Sequence, residues 1–281
     1  RILRLAQIAA KYDINYTMDA EEADRLALSL KLLDRLANDP DLGEWKGLGL
    51  AVQAYQKRAP EVIRWVAAKA RARGVKLSMR LVKGAYWDTE IKRAQTLGLG
   101  DFPVFTAKLH TDLNYMRCAQ LLRDCQDCIY PAFASHNAMT LAFVSELFAG
   151  ADYELQRLHG MGEGAHDALV ALFPPPRPVR VYAPVGTHRD LLAYLVRRLL
   201  ENGANSSFVN RITDENVAID DLIRDPVEAV ASFDSIPHPK IPLPVDLLRS
   251  QNHDRKNSMG VNLANDNDLR ALAEQLNAAV K

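Results

Sequence analysis

The chain has 281 residues with 35 basic and 35 acidic side chains, a formal net charge of zero that excludes a surface built for nucleic acid by bulk charge. A hydrophobic share of 48% and a charged share of 25% are those of a soluble globular protein with a sizeable core. No run approaches the roughly 18 apolar residues of a membrane span, and the opening Arg1-Ile2-Leu3-Arg4 lacks a signal-peptide layout, so the chain reads as cytoplasmic and non-spanning.

Along the chain, short apolar runs ending in polar or glycine-bearing stretches predict strands at 14–18, 47–53, 76–82, 128–134, 153–158 and 179–183. Helical periodicity predicts helices at 20–36, 60–73, 109–123, 140–148, 163–172 and 191–203. This alternation means repeated βα units and a parallel sheet. Asp19, Gln53, Lys83, His136, His159 and Tyr182 fall at or just past strand ends, which gathers them on the carboxyl-end face. No strand leads into a GxGxxG turn, because the Gly160-Met161-Gly162-Glu163-Gly164 run has the wrong spacing and reads as a strand-to-helix turn. The balance leans towards a barrel over an open doubly wound sheet.

Cys118, Cys125 and Cys128 include a CxxC pair that precedes a strand instead of opening a helix after one, and a zinc site needs further ligands nearby. Reduced thiols and no metal are expected. Beyond residue 224 the character changes: Pro226, Pro237, Pro239, Pro242 and Pro244 mark a helix-breaking connector, followed by a helix expected at 266–280.

Several positions carry chemistry or a plain structural alternative. Arg80 lies inside the apolar run LSMRLVKGAYW, where a cation is costly unless it is functional or held in a buried ion pair. Lys83-Gly84-Ala85 is a turn whose small residues let backbone approach a ligand, or a turn and nothing more. Asp19 suits the N-cap of a helix beginning at Ala20. Gln53 reads equally as a surface glutamine, and His136 as a satisfied structural histidine. Arg197 and Arg198 sit side by side with Glu201 one turn on, the spacing of an ordinary i,i+4 pair. Leu191, Leu192, Leu195, Val196, Leu199 and Leu200 surround the arginines, so this helix is expected to be largely covered and its arginines to need anionic partners. Adjacent helical residues point about 100° apart, so both reach one carboxylate only where the helix overhangs a pocket.

The strings MDAEEADR (18–25), QAYQKR (53–58), RLVKGAYWDTEIKRAQ (80–95), FASHNAMT (133–140), LHGMGE (158–163) and YAPVGTHRDLLAYLVRRLLENGANSSFVNRI (182–212) resemble the proline dehydrogenase module of bacterial bifunctional proline utilization A proteins. The resemblance is ordered and spread over about residues 1–230. It implies an α/β fold, a distorted TIM-like (β/α)8 barrel, with the last helix over the barrel mouth. Its first two strand units, which carry a glutamate and a lysine near flavin and substrate, have no counterpart in the sequence and are expected either to precede it or to be missing. Residues 1–224 would be this N-terminally incomplete barrel domain, and 225–281 a connector towards an aldehyde dehydrogenase module.

The resemblance also implies roles. Arg80 would stand beside N5 of an FAD, and Asp19 would pair with an arginine of the clamp, as catalytic residues. Tyr86, Leu158, Tyr182, Arg197 and Arg198 would bind substrate. Ala20, Gln53, Arg80, Val82, Lys83, Gly84, Ala85, Trp87, Thr106, Ser135, His136 and Glu201 would contact the cofactor. The implied reaction is oxidation of L-proline to Δ1-pyrroline-5-carboxylate by hydride transfer from C5 to flavin N5, with electrons passed to a quinone and peripheral membrane association as a consequence. No amphipathic membrane helix is visible in the sequence to support that association. The rival expectation is a non-catalytic fragment with an incomplete site.

Overall fold

The computed structural model describes residues 1–203, 211, 214, 216–249 and 253–280, the side chains of 200–203 excepted. Strands β1 (Tyr16–Met18), β2 (Leu48–Gln53), β3 (Leu77–Val82), β4 (Ile129–Ala134), β5 (Glu154–Leu158) and β6 (Val179–Tyr182) form one sheet in sequence order, every neighbour parallel. When each new strand pairs with the one before it through a right-handed crossover, the helices collect on one face and the sheet curls around the other. An open doubly wound sheet reverses its order at a switch point, and no reversal occurs here. The architecture is α/β, a curled parallel half-barrel of six strands, and all six lie within two residues of their predicted positions.

The period of two sorts each strand. Leu48, Leu50 and Val52 of β2 and Leu77, Met79 and Leu81 of β3 join the main core, together with Ile63, Val66, Tyr115 and Leu122 of the covering helices. Those helices are α3 (Ala59–Arg73) and α5 (Lys108–Asp124), which pack on each other and on the sheet. The alternate residues, Gly49, Ala51 and Gln53, then Ser78, Arg80 and Val82, then Ala132 and Ala134, take the concave face. Farther round, Phe133 packs against Phe148 and Tyr153 with ring centroids 4.9 and 6.0 Å away, beneath α6 (Ala138–Leu147) and α7 (Glu163–Leu172). Cys118, Cys125 and Cys128 are all buried free thiols, and burial pushes Cys128 up to about 11 and Cys118 up to about 12.

Four expectations change. The helix predicted at 20–36 begins instead as a single 3₁₀ turn, Ala23–Arg25, running into α2 (Leu26–Ala37), so Asp19 caps no helix. The reason is competition: the Asp19 carboxylate is taken by Arg80, and the Ala23 N–H by Glu90. Helices α1 (Ile2–Lys11) and α4 (Trp87–Leu97) lie outside the predicted set. Helix α8 (His188–Gly203) is not largely covered, since Leu192, Leu195, Val196 and Leu199 are all exposed. Leucines on several sides of a helix are buried only where other elements face each side, and these four have none closing over them among the described residues.

The proline-rich stretch packs back on the half-barrel. Pro226 opens a short helix, Pro226–Ala231, at the first turn where its missing N–H is harmless, and that helix lies on α5. Asn257 donates to the carbonyls of Gln95 and Pro244 at 3.1 and 3.2 Å, and Gly260 N–H donates to Gly98 O at 3.0 Å. A Cβ on Gly98 or Gly260 would sit 1.8 or 2.0 Å from the facing backbone, so this docking requires glycine on both sides.

Phe133→Ala removes a fully buried ring from the interdigitated aromatic group. It is expected to lower stability by about 3–5 kcal/mol, read as a lower urea midpoint at unchanged m-value.

Candidate active site

The carboxyl-end face gathers the predicted residues because each strand ends at nearly the same level. Asp19 follows β1, Gln53 ends β2, Lys83 follows β3, Ser135 and His136 follow β4, Leu158 ends β5, and Tyr182 ends β6. Arg80 sits one residue deeper than Leu81, in register with Ala51 on one side and Ala132 on the other, so small neighbours leave space for its side chain. Its Nη2 donates to Asp19 Oδ1, its guanidinium lies 5.5 Å from the Tyr182 ring centroid, and its Nε is buried with no hydrogen-bond partner among the described residues. The partner that Asp19 has among the described residues is thus Arg80, where an arginine of α8 was expected. Position favours Arg80, which is rooted in the sheet beside the end of β1.

Helix α8 brings Arg197 to Tyr86 and sets Arg198 close enough to Tyr182 and His136 to act on both electrostatically. Arg197 lies 5.6 Å from the ring centroid of Tyr86, and Arg198 lies 4.9 Å from that of Tyr194. Tyr86 in turn donates to Glu21 Oε2 at 3.2 Å. Burial pushes the Tyr86 and Tyr182 hydroxyls up, with Glu21 adding to the effect at Tyr86 and the arginines opposing it at both, so both stay protonated near neutral pH. Glu201 belongs to α8, but its side chain lies outside the described residues.

The turn after β3 is held by Tyr55, whose N–H donates to Lys83 O at 2.7 Å. Gly84 has φ +139°, and a Cβ there would lie 2.4 Å from the Tyr55 ring, so conformation and space both demand glycine. Gln53, buried at 4% exposure, donates to Glu21 O at 2.8 Å and accepts from Ala85 N–H at 3.3 Å. It is thus no surface glutamine: it ties the β1–α2 loop, with Ala20 and Glu21, to the Gly84-Ala85 turn. Trp87 donates to Phe105 O at 2.8 Å, and the Thr106 hydroxyl accepts from His238 N–H at 2.9 Å under the proline-rich segment.

His136 accepts from Leu158 N–H at 3.1 Å through Nε2, which assigns the proton of the neutral ring to Nδ1. Burial, assisted by His166, Arg198 and Arg157, pushes its imidazole down to about 4. Its turn is fixed from below, where Asn137 caps α6 by accepting from Thr140 N–H at 3.0 Å, and where His166 meets Ser135 O at 3.0 Å. Beside this end Lys83 pairs with Asp112, and a cavity of about 390 Å³ is lined by Lys83, Lys108, Arg211 and Arg224 against Asp112 and Asp221. Four cations against two carboxylates give this lining an excess of positive charge, with Lys83 committed to Asp112.

Four participants escaped sequence reasoning: Tyr194, Glu21, Asp112 and Glu90. Tyr194 precedes Arg198 by four on one helix, a spacing that would have found it. The other three meet their partners only through the fold.

Comparison with known proteins then adds a family. The family model described as proline dehydrogenase matches residues 1–211. The chain is 50% identical to the Bifunctional protein PutA of Klebsiella aerogenes over 98% of its own length and 22% of that protein's, and 53% identical to that of Rhizobium meliloti over 100% and 23%. It is 30% identical to Proline dehydrogenase 1 of Bacillus subtilis over 73% of the chain and 60% of that protein. Among solved structures, a mutant of Bradyrhizobium japonicum Proline Utilization A superposes with a TM-score of 0.93 at 52% identity, over 99% of this chain and 28% of that one. The Bdellovibrio bacteriovorus protein, solved after inactivation by N-propargylglycine, gives 0.83 at 32% identity over 97% and 28%. The chain thus spans 22–28% of the length of these PutA relatives.

With a folded-state value near 4 against an ordinary 6.5, His136 binds its proton more weakly folded than unfolded. Its neutral form contributes stability that is complete above about pH 6.5 and is lost as pH falls towards 4. Wild type should therefore lose more stability than His136→Gln over that window, and the His136 ring resonances should titrate near pH 4. A midpoint near 6.5 would refute the assigned environment.

Proposed function

The chain belongs to the proline dehydrogenase family, and from that membership we propose that it is the FAD-dependent module that oxidises L-proline to Δ1-pyrroline-5-carboxylate within a longer bifunctional protein. The observation that carries the reading is that Arg197 reaches Tyr86 and Arg198 acts on Tyr182, the ring over which Arg80, held by Asp19, also lies. The residues present fit a flavin: Arg80 Nε is a buried donor without a partner among the described residues, and the four cations of the neighbouring cavity suit a pyrophosphate. Ala20, Gln53, Val82, Lys83, Gly84, Ala85, Trp87, Thr106, Ser135 and His136, with Glu201, would hold the group. When bound, the flavin supplies the two-electron acceptor that the reaction needs.

The side chains then have distinct tasks. Arg197 and Arg198 bind the proline carboxylate by charge-assisted hydrogen bonds. Tyr86, Tyr182 and Leu158 enclose the pyrrolidine ring, fix its orientation and keep water out. Asp19 holds Arg80, whose fixed positive charge meets negative charge developing on the acceptor side. Neutral His136 offers the Nδ1–H as a donor, a task for which a protonated ring is not required. The eight-strand closure of the barrel, the division at 224/225, the partner aldehyde dehydrogenase module, a quinone acceptor, contact with a membrane surface and a cytoplasmic location are supported by resemblance to the family. Among the described residues no helix is long and apolar enough to cross a membrane.

The purified full-length protein should show flavin absorption bands that bleach when L-proline is added anaerobically. N-propargylglycine, with which the Bdellovibrio protein was inactivated, should abolish that bleaching. A protein that stays colourless after FAD is added would leave the reading without support and favour a non-catalytic fragment.

Arg198→Met is expected to lose about 1.5–3 kcal/mol of carboxylate binding, so KM for proline should rise by about one to two decades. An unchanged KM in steady-state assays would remove the clamp.

A further inference from the structure

The loop between β1 and the 3₁₀ turn has no regular structure from Asp19 to Glu22, yet it presents two residues to the mouth: Asp19 to Arg80 and Glu21 to Tyr86. Its anchor is Ala23. The Ala23 N–H donates to Glu90 Oε1 at 2.5 Å, and the Ala23 carbonyl accepts from Arg58 Nη2. Asp24, next in line, pairs with Arg93, and Glu21 O is held by Gln53. Two successive elements, the start of α3 and the first turns of α4, thus grip one residue of the loop from both sides.

A carboxylate buried to 2% exposure is a costly way to stabilise a fold, and burial pushes the Glu90 carboxyl above its ordinary value. Ala23 is also only 2% exposed, so water cannot replace Glu90 at its N–H, while its carbonyl accepts from Leu26 N–H as well as from Arg58, which adds the charged, long-range donor. Neither Glu90 nor Arg58 belongs to the substrate or cofactor set. What they hold is the segment that sets Asp19 against Arg80 and Glu21 against Tyr86, the ring on which Arg197 lies.

We infer that Glu90 and Arg58 are positioning residues for proline oxidation, clamping both backbone polar groups of Ala23 and so fixing the loop that aligns the substrate mouth. The inference rests on the function proposed above. Displacement of the loop at Ala23 frees Tyr86, loosens Arg197 and weakens capture of the carboxylate, while Asp19, directly after β1, and Arg80 in β3 stay anchored by the sheet. The effect should therefore fall on KM more than on kcat.

The test uses the full-length protein and the variants Glu90→Ala, Glu90→Gln and Arg58→Met, with kcat and KM for proline normalised to bound flavin and with thermal midpoints recorded. Glu90→Ala and Arg58→Met should each raise KM about tenfold with kcat changed less than about threefold, the scale of one lost buried hydrogen bond. Glu90→Gln keeps an oxygen acceptor for the Ala23 N–H and should stay within about twofold of wild type. A merely structural role would lower the midpoint and the flavin content but leave KM of the loaded protein unmoved, and that result overturns the inference. So does Glu90→Gln as impaired as Glu90→Ala, which would make charge, not the clamp, decisive. Where Glu90→Ala does not fold, Arg58→Met decides between the same two outcomes. A wild type inert towards proline removes the functional reading and this inference with it, whereas an active wild type with unperturbed variants removes the inference alone.

Discussion

A guanidinium rooted in a parallel strand is the constraint on which the rest of the mouth depends. Arg80 stands in β3, its side chain 17% exposed, and an isolated charge there would be prohibitive. Its compensation comes from both ends of the sheet, Asp19 after β1 and Tyr182 on β6. Strands lie about 4.8 Å apart, so in a flat sheet β6 would be about 14 Å from β3, beyond the reach of one arginine. The contact at 5.5 Å is possible because the sheet curls, and the curl is possible because Ala51 and Ala132 flank Arg80 with almost nothing. Fold and site are therefore one design: curvature supplies the partners for the charge, and the charge ties the outermost strands across the concave face.

The sheet was legible in the sequence because parallel strands buried under helices must be apolar, short and sharply ended. Runs such as Leu48–Gln53 and Leu77–Val82 announce themselves. The helix at 20–36 was misplaced at its start for the opposite reason: MDAEEADR has ordinary helical composition, and only long-range partners, Arg80, Glu90, Arg58 and Arg93, draw its first residues away from helical geometry. The exposure of α8 was hidden similarly, since leucines on several sides promise burial without saying against what.

Much of the site could be read from position, because a polar residue at the end of a barrel strand has few other places to point. Gln53, Lys83, His136 and Tyr182 lie where that rule puts them. What the sequence concealed was pairing. Asp19 looked like a cap and proved to be the counter-ion of Arg80, and Gln53 looked like a lone ligand and proved to join two loops through its amide. Such partners lie tens of residues away, and no local pattern encodes which of several charged neighbours wins.

The electrostatics of the mouth follow from this arrangement. Arg80, Arg157, Arg197 and Arg198 approach one end of the sheet, with Asp19, Glu21 and Glu163 as partial counterweights, each bound to a specific partner. A field of that sign favours an anionic substrate and disfavours any further cation. His136, half-buried within it beside His166, Arg198 and Arg157, answers by staying neutral. Its Nε2 is fixed as acceptor by Leu158 N–H, which settles the tautomer, and the donor at Nδ1 persists at any pH where the carboxylates are ionised. A histidine whose charge varied near neutrality would weaken the arginine field whenever it lost its proton. Here that coupling is broken by desolvation, and the attraction for an anion rests on the guanidinium groups alone.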